Sequence, residues 1–128
     1  MNVQGSELNA LSKRIIGCAL AVSRTLGCGF LEKVYENALA HELGIAGLDA
    51  ARQFGLTVPY KGISVGEYVA DFLIENAVLV ELKAVPALSD VHRAQCLNYL
   101  RATSLHLCLL INFGTPRLEI RRVVLDLR

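Results

Sequence analysis

Leu8, Leu11, Ile15, Ala19, Val22 and Leu26 recur at intervals of three and four, which gathers them on one stripe of a helix, and Ser6 is placed to cap it. Gly27-Cys28-Gly29 ends that pattern. A second helix is predicted from about residue 30 to 45, burying Leu31, Val34, Tyr35, Ala38 and Leu39, with Gly44 and Gly47 marking its end. From Arg52 to Ala84 the period changes to two. Phe54, Leu56 and Val58 alternate, Lys61-Gly62 offers a turn, and residues 63–74 and 78–84 read as strands folded against each other around Asn76. Ser89 and Asp90 supply capping chemistry for a helix to about Ala102 whose apolar side is Val91, Ala94, Leu97 and Leu100. Residues 105–113 and 118–125 read as closing strands around Gly114-Thr115-Pro116. The predicted order is α-α-β-β-β-α-β-β, an α/β fold, and without an internal repeat or linker residues 1–128 read as a single domain.

Composition narrows the classes. Apolar residues are 53% of 128, enough for a real core at this length. The apolar runs stop well short of the ~20 residues that cross a bilayer, so no membrane span is expected. Residues 1–6 lack the basic start and apolar stretch of a secretory signal, which points to the cytoplasm. The net charge of +1 gives no bulk attraction for nucleic acid, so any such contact has to come from local arrangement. Cys18, Cys28, Cys96 and Cys108 form no CxxC pair and read as reduced packing residues, and His41, His92 and His106 share no ligand spacing.

The hairpin around Asn76 sets Asp71 directly opposite Glu81, with Cβ atoms ~5 Å apart on one face. Lys83, two residues on, shares that face, while Phe72, Ile74, Val80 and Leu82 point the other way. Two carboxylates that close repel unless a cation lies between them. Oxygen ligands without histidine or thiolate favour Mg²⁺ or Mn²⁺, ions that keep waters and accept phosphate oxygens, and Lys83 can orient a water or offset phosphate charge. A solvated hairpin face, with Lys83 paired to either acid, is the plainer alternative. Glu32 stands in the first turn of its helix, where the dipole favours an acid in any case; from there it could also lean over the sheet as a further ligand. Gln95 and Tyr99 share a face with His92. That stripe is either ordinary polar surface or a place where Tyr99 stacks on a base and Gln95 reaches Lys83 or a phosphate.

Gly29-Phe30-Leu31-Glu32-Lys33-Val34-Tyr35 reads GxxExxY, and is followed in order by Gly66 to Asp71, Val80-Glu81-Leu82-Lys83-Ala84, Gln95-Cys96-Leu97-Asn98-Tyr99 and Leu110-Ile111-Asn112-Phe113-Gly114. Together these blocks resemble the GxxExxY family, a branch of the PD-(D/E)XK nuclease superfamily. Ala70 stands where the superfamily name has Pro. The resemblance implies a restriction-endonuclease-like core, a mixed central sheet flanked by helices. It implies Asp71 and Glu81 as metal ligands with the Leu82 carbonyl, Lys83 as catalytic lysine and Glu32 as a helix-borne acid. Gln95 and Tyr99 are similar to the QxxxY element of recombination-type exonucleases. The expected function is metal-dependent hydrolysis of nucleic acid, DNA ahead of RNA. The alternative is a catalytically idle module of the same fold that binds nucleic acid or protein within a larger complex, with a homo-oligomer or a protein partner.

Overall fold

The computed structural model describes residues 5–126. Its elements are α1 (Gly5–Leu26), α2 (Glu32–Ile45), β1 (Ala50–Tyr60), β2 (Ile63–Ile74), β3 (Val78–Lys83), α3 (Asp90–Thr103), β4 (Leu107–Asn112) and β5 (Glu119–Val124), in the order the hydrophobic pattern predicts. Residues 1–4, part of the segment read for a targeting signal, lie outside the described residues. Among those described, no helix is long and apolar enough to cross a membrane.

The strands form one mixed sheet in sequence order. Every neighbouring pair is antiparallel except β3 and β4, which run parallel and are joined through α3. Alternation divides the core between the two faces. Val78, Val80, Leu82, Leu107, Leu109 and Ile111 pack with α1 and α2, while Leu79, Cys108 and Leu110 pack with α3. Both faces of β3 and β4 are therefore covered, and nearly every residue in them is buried.

Two turns set the registers. Lys61 and Gly62, and again Glu75 and Asn76, take left-handed φ angles, the geometry whose twist matches that of a hairpin. Tyr60 pairs with Ile63, and around Asn76 Ile74 pairs with Val78 and Phe72 with Val80, the register expected from the sequence.

The helix faces differ from expectation. Helix α1 already runs at Gly5, so Ser6 lies inside it and is not its cap. Helix α2 begins at Glu32 because Leu31 stays extended; it buries Tyr35, Glu36, Leu39 and Leu43, leaving Leu31 (80% exposed) and Val34 outside. Helix α3 is seated on the sheet by Cys96, Tyr99 and Leu100, which rolls Val91 and Ala94 off the core. Cys18, Cys96 and Cys108 are buried free thiols, whereas Cys28 is exposed between α1 and α2 and is not a packing residue.

Candidate active site

Strand β2 stays paired with β1 from Ile74 to Ile63 but leaves β3 beyond Phe72 and Val80. The amides next in line would lose their partners, and two carboxylates take them. Asp71 N–H donates to Glu81 Oε1 (3.2 Å), and Leu82 N–H donates to Asp71 Oδ2 (2.7 Å). Asp71 and Glu81 are thereby brought together at the fork, as the hairpin register predicts. Lys83 Nζ lies 3.8 Å from Glu81 Oε2, with most of its side chain covered. The acid, acid, lysine set thus converges on the α3 side of the sheet.

Burial pushes the Glu81 carboxyl up to about 8, and the charge of Asp71 adds to the push, against the Asp71 amide and the Lys83 ammonium. Glu32, at the start of α2, faces the same group: partial desolvation raises its carboxyl, followed by Asp71, with Lys83 acting in the opposite direction. Tyr35 places Glu32 there. Its hydroxyl donates to the Gly27 carbonyl (2.7 Å) and accepts from Phe30 N–H (3.1 Å), and its ring stacks on Phe113 at 4.7 Å. Tyr35 of the GxxExxY block therefore holds the entry to α2, where Gly29 turns the chain at φ 112°, and the Glu of the block is what that entry presents.

Sequence reasoning missed Glu36 and Gln53. Glu36 is buried, and its carboxylate accepts from Arg52 (2.7 Å), Lys33 (3.2 Å) and Gln53 Nε2 (2.7 Å). Gln53 Nε2 also reaches Asp71 Oδ1 at 3.4 Å, linking this buried acid to the fork. An acid at the Tyr35–Leu39 face of an amphipathic helix is a signal for Glu36. Nothing in the local pattern marks Gln53, whose backbone has φ 50° within a strand. Arg52, at the start of the same strand, is engaged by Glu36 and Asn37.

Gln95 and Tyr99 are not a free polar stripe. Tyr99 is buried, which rules out stacking on a base; Gln95 Nε2 donates to its hydroxyl (2.8 Å), which reaches the Val69 carbonyl (3.4 Å). Gln95 thus binds Tyr99 rather than Lys83. Burial raises the Tyr99 phenol, and the charge of Glu81 adds to that, so the ring lies within electrostatic reach of the fork. Beyond β3, Asn112 closes the other end. Its Oδ1 accepts from Val85 and Gly114 N–H, and its Nδ2 donates to the Val85 carbonyl and Glu119.

A family model described as the PD-(D/E)XK nuclease superfamily matches residues 9–123. This chain belongs to that superfamily. Its fold is similar to the crystal structure of SSO0001, with TM-score 0.60 and 18% identity over 94% of this chain and 60% of that one. It is also similar to an alkaline exonuclease (LHK-Exo) from Laribacter hongkongensis, with TM-score 0.54 and 15% identity over 98% of this chain and 73% of that one. The chain thus spans 60% of the length of SSO0001. No curated protein sequence matches it. The superfamily supports a nuclease-type function, and its members generally use divalent metals.

The donor set at the fork fits such an ion. Two carboxylates share a pocket where burial and the neighbouring Asp71 disfavour charge on Glu81, with one ammonium beside them. Among the described residues no cluster of three or more His, Cys, Asp or Glu side chains stands at ligand spacing. The fit is therefore to a divalent ion held by one or two carboxylates that keeps several waters.

Proposed function

We propose that this protein hydrolyses phosphodiester bonds of nucleic acid, DNA ahead of RNA, in a divalent-metal-dependent reaction, and that it is a GxxExxY member of the superfamily. The observation carrying this reading is the meeting of Asp71 and Glu81 where β2 leaves β3, with Lys83 3.8 Å from Glu81. Asp71, Glu81 and the Leu82 carbonyl are the groups assigned to hold Mg²⁺ or Mn²⁺, with Glu32 as the adjoining acid. When bound, such an ion activates a water and offsets charge growing on the phosphate. Lys83 brings its ammonium to the same place, where it can orient the attacking water or pair with a phosphate oxygen. Gln53 restrains one Asp71 oxygen from the β1 side, and Leu82 N–H restrains the other, so the carboxylate is aimed before substrate arrives. Gln95 and Tyr99 are positioning residues that tie α3 to β2 beside the fork.

Labelled single-stranded, duplex and branched DNA, and RNA, incubated with Mg²⁺, Mn²⁺ or EDTA, test the reading. Cutting is expected only with metal, and Glu81→Gln and Lys83→Ala each lower it by about 10²-fold or more. Wild-type protein that cuts none of these substrates, or variants that cut undiminished, would overturn it; binding without cutting would favour the idle module.

A further inference from the structure

A cleft of about 820 Å³ opens between α3 and the part of the β1–β2 hairpin that has diverged from β3, and Lys83 is one of its wall residues. The cleft thus adjoins the carboxylate fork. Its hairpin wall carries Leu56, Val58 and Tyr68, and its helix wall carries Val91 and Ala94. Tyr68 is 52% and Val91 76% exposed, so large apolar faces look into it uncovered. The charged side chains of the wall, Lys83 and Arg101, are both cations, and among the described residues no carboxylate lines it. Tyr68 is backed by the ring of Tyr99 at 6.0 Å, which Gln95 holds in place.

A ligand suited to these walls has flat apolar faces and negative charge together. A duplex does not offer both, because its base faces are stacked on one another and only base edges, sugars and phosphates reach outward. An unpaired strand does: any base presents a π-face to an aromatic ring, and the phosphates pair with Lys and Arg. We propose that this cleft receives an unpaired stretch of nucleic acid, with a base on Tyr68 and the backbone along Arg101 and Lys83, and so leads single-stranded substrate to Asp71 and Glu81. The fate of that strand rests on the hydrolytic reading above; its binding does not. It also explains why α3 leaves Val91 and Ala94 off the core, since there they form a wall.

Fluorescence anisotropy in EDTA, where no cutting occurs, separates the two. The probes are a labelled dT12 strand, a 12-base-pair duplex, and an abasic strand of the same phosphate count. The expected result is that dT12 binds more tightly than either of the others. Tyr68→Ala weakens dT12 by about tenfold, Tyr68→Phe restores it, and neither changes the abasic strand. Val91→Glu, at an exposed helix position that tolerates a polar side chain, introduces a repelling carboxylate and weakens dT12 as well. Equal binding of strand and duplex, or dT12 affinity unaltered in both Tyr68→Ala and Val91→Glu, overturns the proposal. If dT12 binds as expected but neither it nor any of the DNA and RNA substrates above is cut when metal is restored, the hydrolytic reading fails and the cleft assignment holds.

Discussion

Glu81 is held in a conflict that its surroundings do not resolve: burial and Asp71 disfavour its charge, while the Asp71 amide and Lys83 favour it. With its carboxyl raised from 4.5 to about 8, the folded protein holds that proton where the unfolded chain has released it. The stabilisation from this group is complete below the unfolded value and is lost as pH rises through the folded one. Urea midpoints of metal-free protein should therefore fall between about pH 5 and 8. Glu81→Gln should show a shallower fall, and parallel curves would refute the assignment. A Cβ at Gly114 would clash with the Val85 backbone, so Gly114→Ala should destabilise by about 1–3 kcal/mol, read in the same unfolding curves. Asp71, Glu81 and Lys83 were legible because a tight hairpin and a period of two determine which side chains meet. Gln53 was not, because its role depends on a left-handed backbone inside a strand that no neighbouring residue signals.

Helices and strands were legible as elements, since each apolar period is long and the turns after α1, α2, β1 and β2 each carry Gly, Asn or a charged residue with positive φ. Their orientation was less so. Helices α2 and α3 have apolar residues over more than half their circumference, so periodicity alone does not choose the side that meets the sheet. In α2 the choice is made by Tyr35, whose hydroxyl bonds Gly27 and Phe30 while its ring stacks on Phe113. Tyr35→Phe should cost about 1 kcal/mol and raise amide exchange at residues 27–31, because a buried hydroxyl and two loop bonds are lost together. Unchanged exchange there would show that the loop is held by packing alone. The departure of β2 from β3 was also invisible in the sequence: Val69 and Ala70 continue an apolar run that reads like any paired strand, and it is the carboxylates of Asp71 and Glu81 that replace the ladder.

At the scale of the molecule, the sheet, its two helical layers and the diverging hairpin all meet at one fork, and stability is given up there to keep two acids adjacent. An ion that binds the folded fork and not the unfolded chain must return some of that stability by mass action. Saturating Mn²⁺ should therefore raise the wild-type thermal midpoint and leave an Asp71→Asn, Glu81→Gln double variant unmoved. The metal centre itself is tested by a calorimetric titration of both proteins with Mn²⁺ at pH 7, in buffers of different ionisation enthalpy. Wild type should bind saturably and release about one proton, the one Glu81 carries at that pH, and the double variant should do neither. No saturable binding by the wild type, or equal binding by the double variant, would contradict a metal centre at Asp71 and Glu81.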